Sequence, residues 1–158
     1  MNGRAANDDR ILVTGGTGTL GRLVVSRLRS GDFKLRVLSR QSRENEQGIE
    51  FVRGDLATGE GVEAAVERAA IIVHCAGTSK GDDDKALNLV RAASEAGTRH
   101  LVNISVVGAD RIPVTGALDR AMFGYFAMKL AAERVVAESG LPWTTLRATQ
   151  FYDLILTV

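Results

Sequence analysis

Cysteine is nearly absent: one thiol, Cys75, in 158 residues. It excludes an intramolecular disulfide and fits a reducing compartment, so cytoplasm is the expected location. No charge of one sign dominates, with 20 basic against 19 acidic side chains. Without a basic surplus, neither nucleic acid nor a membrane surface is an expected partner. No apolar run approaches the roughly 20 residues that span a bilayer. The opening stretch, MNGRAANDD, has no apolar centre and reads as a polar lead-in over residues 1–9 rather than a secretory signal. Histidine is scarce too. His74 and His100 fall in separate expected strands with no carboxylate cluster beside them, so no metal site is expected. Repeats, low-complexity tracts and interdomain linkers are missing. What remains is a globular composition, 45% hydrophobic and 25% charged. One domain over residues 10–158 is expected, burying about 70% of its unfolded surface.

The informative stretch is RILVTGGTGTLG, residues 10–21. A short apolar run stops at a glycine cluster, and a helical pattern starts directly after it. Gly16, Gly18 and Gly21 satisfy G-x-G-x-x-G, while Gly15, Gly18 and Gly21 satisfy G-x-x-G-x-x-G. Early glycines permit a tight turn and let backbone approach a pyrophosphate, and the last lets the helix lie close on the strand. The helix start then offers free N–H groups to phosphates. Strand before and helix after distinguish this from an ordinary glycine-rich turn.

Strands are expected over 10–14, 34–39, 49–53, 70–74, 100–105 and 143–147. Helices are expected over 19–28, 58–69, 85–96 and 118–139. In the first helix, Leu20, Leu23, Val24 and Leu28 share one side; in the second, Val62, Ala65, Val66 and Ala69 point inward. The run of Asp82, Asp83 and Asp84 reads as a solvated helix start that suits the helix dipole. Strands alternating with helices imply right-handed crossovers and an α/β, doubly wound parallel sheet of Rossmann type, in the order 3-2-1-4-5-6.

The end of the second strand reads the adenosine ribose in such a fold. A carboxylate there binds the 2′-hydroxyl of NAD, whereas an arginine accommodates the 2′-phosphate of NADP. Here the place reads LSRQSR, with Ser39 and Arg40 on the spot and Arg43 close by. A guanidinium forms paired, charge-assisted hydrogen bonds with a phosphate that a carboxylate would repel. NADP(H) is therefore favoured over NAD(H), the alternative being that Arg40 is a solvated loop charge. Asp55, in the GDL after the third strand, either lies under the adenine or serves as a turn residue.

A second signal is YFAMK, which places Tyr125 and Lys129 four residues apart on one helix face. Free tyrosine has a pKa of about 10 and is a poor acid–base group at neutral pH. A nearby ammonium favours the phenolate and lowers that value. Such a tyrosine gives a proton to a carbonyl oxygen while a nicotinamide delivers hydride. The alternative leaves Tyr125 half-buried and Lys129 solvated. Cys75, ending a buried strand, reads as small core filler rather than a nucleophile. Trp143 is expected to pack the end of the last strand.

TGGTGTLG, GDL, HCAG, NISVVGAD and YFAMK together resemble the short-chain dehydrogenase/reductase superfamily. The segment AAERVVAESGLPWTTLRATQFYD is similar to its atypical, NmrA-like NAD(P)-binding branch. The resemblance runs from Arg10 to Asp153. It implies that Gly15, Thr17, Gly18, Thr19 and Leu20 wrap the pyrophosphate, with Arg40 on the 2′-phosphate. Asp55 and Leu56 would edge the adenine, and Cys75, Ala76 and Gly77 would pass along the cofactor. Tyr125 would be the acid–base group, Lys129 would bind the nicotinamide ribose and depress that tyrosine's pKa, and Ser105 would orient the substrate carbonyl.

There are departures from the family pattern. Ser105 sits one position early if Val106 occupies the usual serine place, and the helical asparagine of the catalytic set has no secure counterpart, Asn88 being a poor candidate. His74-Cys75 replaces a polar pair. The resemblance also implies a C-terminal substrate lobe that is missing or truncated here. The expected function is an NADPH-dependent oxidoreductase acting on a small carbonyl or related electrophile. The alternative is a non-catalytic NADP(H)-binding redox sensor of NmrA type. A small-molecule substrate is the expected partner, and the long helix bearing Tyr125 offers an outward face for a homodimer.

Overall fold

The computed structural model describes residues 10–31, 33–77 and 80–149. The expected lead-in over residues 1–9 and the apolar segment from residue 150 lie outside them. Six strands form one sheet: β1 (Arg10–Thr14), β2 (Lys34–Ser39), β3 (Ile49–Arg53), β4 (Ala69–His74), β5 (His100–Val106) and β6 (Trp143–Ala148). Their spatial order is β3-β2-β1-β4-β5-β6 and every pairing is parallel, as expected. Four helices connect them: α1 (Thr19–Arg29), α2 (Val62–Val66), α3 (Asp82–Glu95) and α4 (Ala117–Glu138).

Side chains alternate across a strand, so β1 feeds two cores. Ile11 and Val13 point to one face, joining Leu35, Val37 and Ile49 under Val24, Val25 and Leu28 of α1. Leu12 points to the other, joining Ile72, Leu89, Leu101 and Val136 beneath α2, α3 and α4. Helices on both faces explain why the central strands are continuously apolar. The connections diverge after β1 and β4, and the ends of those two strands open a crevice.

Several local expectations need correction. α2 starts at Val62 rather than residue 58, because Gly61 precedes it in the left-handed region at φ 72°. Ala69, expected in that helix, opens β4, after Arg68 at φ 56° has turned the chain. The inward positions Val62, Ala65 and Val66 are buried as expected. In α1, Leu23 is exposed and Val25 takes the inward place, because the helix packs on β1 and β2 through Val24, Val25 and Leu28. Trp143 stands largely exposed on β6, the outermost strand of the sheet.

A buried cation fixes the β2–β3 side. Arg36 donates from Nε and Nη2 to Glu50 at 3.0 and 3.2 Å. Its Nη1 donates to the carbonyls of Ala64, Ala65 and Glu67 at 3.1, 3.0 and 2.7 Å. The guanidinium thus satisfies the orphaned carbonyls at the end of α2 and ties that helix to the sheet.

Candidate functional site

The turn after β1 is built from main chain. Gly15 sits at φ +67°, and a Cβ there would fall 2.6 Å from the Ala76 nitrogen. Gly18 N donates to the Gly15 carbonyl at 3.0 Å, and Arg22 N donates to Gly18 at 3.0 Å. A Cβ on Gly21 would overlap the Gly15 carbonyl, so only glycine lets α1 start this close to the elbow. The first turn of α1 carries no acidic residue. Its leading N–H groups have no intrahelical acceptor, and this positive end faces the crevice.

Two cavities share Gly15, Gly18, Cys75 and Gly77 and form one continuous groove. The first, about 300 Å³, is also lined by Thr17, Leu38, Ser39, Arg40, Asp55, Leu56, Ala57 and Ala76. The second, about 210 Å³, adds Thr19, Leu20, Ile104, Ser105, Tyr125 and Lys129. Every site residue expected from the sequence lines one or both. Glycine backbone forms the floor, a helix start lies at the middle, and a guanidinium stands at one end. Those donors suit a dinucleotide with charged phosphates.

At the Arg40 end, Asp55 is both wall and turn. Its Oδ1 accepts from Ala57 N at 2.9 Å, and its carbonyl accepts from Gly59 N at 2.8 Å. Asn88 is occupied structurally, donating from Nδ2 to the Leu56 carbonyl at 2.7 Å. Lys85 also lines this cavity and was not anticipated from the sequence.

At the other end, Lys129 Nζ lies 5.7 Å from the Tyr125 ring centroid. Tyr125 is 42% exposed, and Lys129 is buried. Lys129 is not alone: its Nζ lies 3.2 Å from Asp82 Oδ2. Asp82, expected to be solvated, is 1% exposed. The charge-run reading fails there because α4 brings a cation over the first residue of α3. Burial first, and then the Asp82 carboxylate, hold the Tyr125 hydroxyl above its ordinary range. The expected lowering is therefore not realised in this arrangement, because burial and, after it, the Asp82 carboxylate act the other way.

Ser105 is on the groove wall, but its Oγ is covered and makes no well-formed hydrogen bond among the described residues. It lies near Glu133, which accepts from Arg147 Nε and Nη2 at 2.9 and 2.7 Å. Burial opposes ionisation of Glu133, yet Arg147 and Ser105 hold its carboxyl below the usual range.

Beneath the groove, His74 Nδ1 lies 2.7 Å from Thr14 Oγ1 and joins β4 to β1. Burial, with Lys129 adding to it, pushes its pKa down to about 4. The unfolded imidazole titrates near 6.5. Between these values the unfolded chain binds the extra proton, so stability present above pH 6.5 is lost as the pH falls toward 4. Urea unfolding is expected to show a loss of about 2 kcal/mol between pH 7 and 5, and His74→Gln should flatten that slope. Burial also pushes the neighbouring Cys75 thiol up to about 11, which leaves it unreactive at neutral pH.

Among the described residues no cluster of three or more His, Cys, Asp or Glu is placed to hold a metal ion. No helix among them is long and apolar enough to cross a membrane.

A profile of the NAD(P)H-binding family matches residues 15–154. A (4-alkanoyl-5-oxo-2,5-dihydrofuran-3-yl)methyl phosphate reductase of Streptomyces griseus is 31% identical over 155 residues, covering 93% of this chain and 50% of that protein. A photosystem II assembly factor of Synechocystis is 28% identical, covering 90% of this chain and 45% of the other. This chain therefore spans about half the length of the curated relatives it matches. Among solved structures, the triphenylmethane reductase of Citrobacter complexed with NADP(H) superposes with a TM-score of 0.78 at 23% identity. That likeness covers 92% of this chain and 51% of the reductase, and it is one of fold. The chain belongs to the NAD(P)H-binding family.

Proposed function

We propose that this chain binds NADP(H) in preference to NAD(H) and takes part in reducing a small carbonyl or related electrophile, in the cytoplasm. One observation carries the reading: a single groove has Arg40 at one end and Tyr125 with Lys129 at the other. The elbow amides and the start of α1 hold the pyrophosphate, and Arg40 forms paired hydrogen bonds with the 2′-phosphate. Lys129 fixes the ribose next to the reacting ring. When bound, the reduced nicotinamide supplies the hydride equivalent to the carbonyl carbon. Tyr125 gives its proton to the carbonyl oxygen and is reprotonated from water, so one carbonyl, one hydride and one proton make one alcohol.

Calorimetric titration with NADPH and NADH tests the cofactor half. NADPH is expected to bind at least about tenfold tighter, a difference of roughly 1.4 kcal/mol. Arg40→Ala should remove about 1.5–3 kcal/mol from NADPH binding and leave NADH binding unchanged. Equal affinities in the unaltered protein would overturn the preference. The covered Ser105 hydroxyl and the raised Tyr125 support a second reading, a non-catalytic sensor of the NADPH/NADP ratio. A broad carbonyl panel separates the two: oxidation of NADPH by any acceptor favours the enzyme, and tight binding with no turnover favours the sensor.

A further inference from the structure

The Tyr125–Lys129 pair has a third member on another helix. Asp82 opens α3 beside the groove floor, and its carboxylate is shared between two cations. Oδ1 lies 3.3 Å from Lys85 Nζ, and Oδ2 lies 3.2 Å from Lys129 Nζ. Gly77 makes this packing possible. A Cβ there would overlap Lys129 Nζ and come within 3.2 Å of Asp82 Oδ2. The lysine head and the carboxylate tip thus meet over bare backbone, and both are almost fully covered.

Among the described residues, charged and titratable groups facing this cluster include Lys85 of α3, Lys129 and Tyr125 of α4, His74 of β4 and Cys75 just after it. His74 is neutral at physiological pH. Two ammonium groups therefore share one carboxylate next to a phenol. An opposite charge favours a phenolate and a like charge disfavours it, and here both act within one cluster.

We propose that Asp82 is a positioning residue: it holds the Lys129 ammonium against Gly77 and takes up charge that would otherwise act on the Tyr125 phenol. The inference rests on Tyr125 being the proton donor of the proposed reaction. Its physical core, the coupling of Asp82 to Tyr125, requires no substrate to observe.

The chain contains two tyrosines, Tyr125 and Tyr152. Ultraviolet titration of tyrosinate follows both in the whole chain, and Tyr125→Phe assigns the transitions. Asp82→Asn is expected to move the Tyr125 midpoint downward by about one pH unit, a tenfold change in its ionisation constant. Because that change leaves two ammonium groups facing each other, Asp82→Asn combined with Lys85→Met is the companion variant, with circular dichroism confirming the fold. A purely structural role for Asp82 would change stability and leave the midpoint in place. A midpoint that stays or rises in both variants overturns the inference. Where a substrate is found, the pH profile of the reverse, oxidative direction should shift acidward in parallel. A moved midpoint without turnover on any substrate sinks the catalytic reading and leaves the coupling intact. Turnover with an unmoved midpoint does the opposite.

Discussion

Tyr125→Phe is expected to lower hydride transfer by about 10²–10⁴-fold, the range that general acid catalysis supplies. NADPH affinity should stay within about threefold, since in the proposed reaction the hydroxyl acts in the transition state rather than in holding the cofactor. The ring lines the groove and is 42% exposed, so its loss of one oxygen leaves no buried partner stranded. Phe126 packs edge-on against it at 5.8 Å between centroids, a contact that phenylalanine preserves. Turnover measured with any accepted electrophile, alongside a calorimetric titration, checks both halves. Undiminished turnover in the variant would remove Tyr125 from the chemistry.

Gly15→Ala acts at the other end of the problem. Its φ of +67° lies in the left-handed region, which costs a non-glycine residue roughly 1–2 kcal/mol. The new methyl would also fall 2.6, 2.7 and 2.8 Å from Ala76 N, Ala76 Cα and Cys75 C. Those atoms are backbone and cannot swing aside as a side chain would, so the elbow itself must shift. The variant is expected to lose about 2–4 kcal/mol of stability in urea unfolding. Dinucleotide affinity should drop by more than about tenfold, because the amides that cradle phosphates move with the turn. Gly48→Ala is the control. It has a similar φ of +80° but no atom within 4 Å of the added carbon, so it reports the backbone cost alone. Equal losses in the two variants would mean that crowding against β4 is unimportant.

The elbow was legible because its evidence is local. Gly15, Gly18 and Gly21 act within a single turn, and the strand and helix that flank them announce themselves by apolar spacing. Strand order followed from the alternation of elements, and the groove from the placement of strand ends. Boundaries were less legible where backbone conformation overrides side-chain pattern, as at Gly61 before α2. Leu23 misled because periodicity does not say which edge of a helix lies on the sheet. Asp82 was missed for a deeper reason. Three consecutive aspartates look solvated, and the cation that buries the first of them arrives from α4. The direction of the Tyr125 shift failed as well, because a pairwise reading of YFAMK sees neither the burial of the phenol nor a carboxylate on α3.

The groove floor, made of Gly15, Gly18, Ala76 and Gly77, is main chain almost throughout. Its walls near Tyr125 are side chains such as Leu20 and Ile104. Holding and reacting are thereby assigned to different kinds of atom. Replacement of Ile104 can reshape that end while leaving the elbow and the start of α1 untouched. A designer seeking a new acceptor would start there and leave the glycines alone.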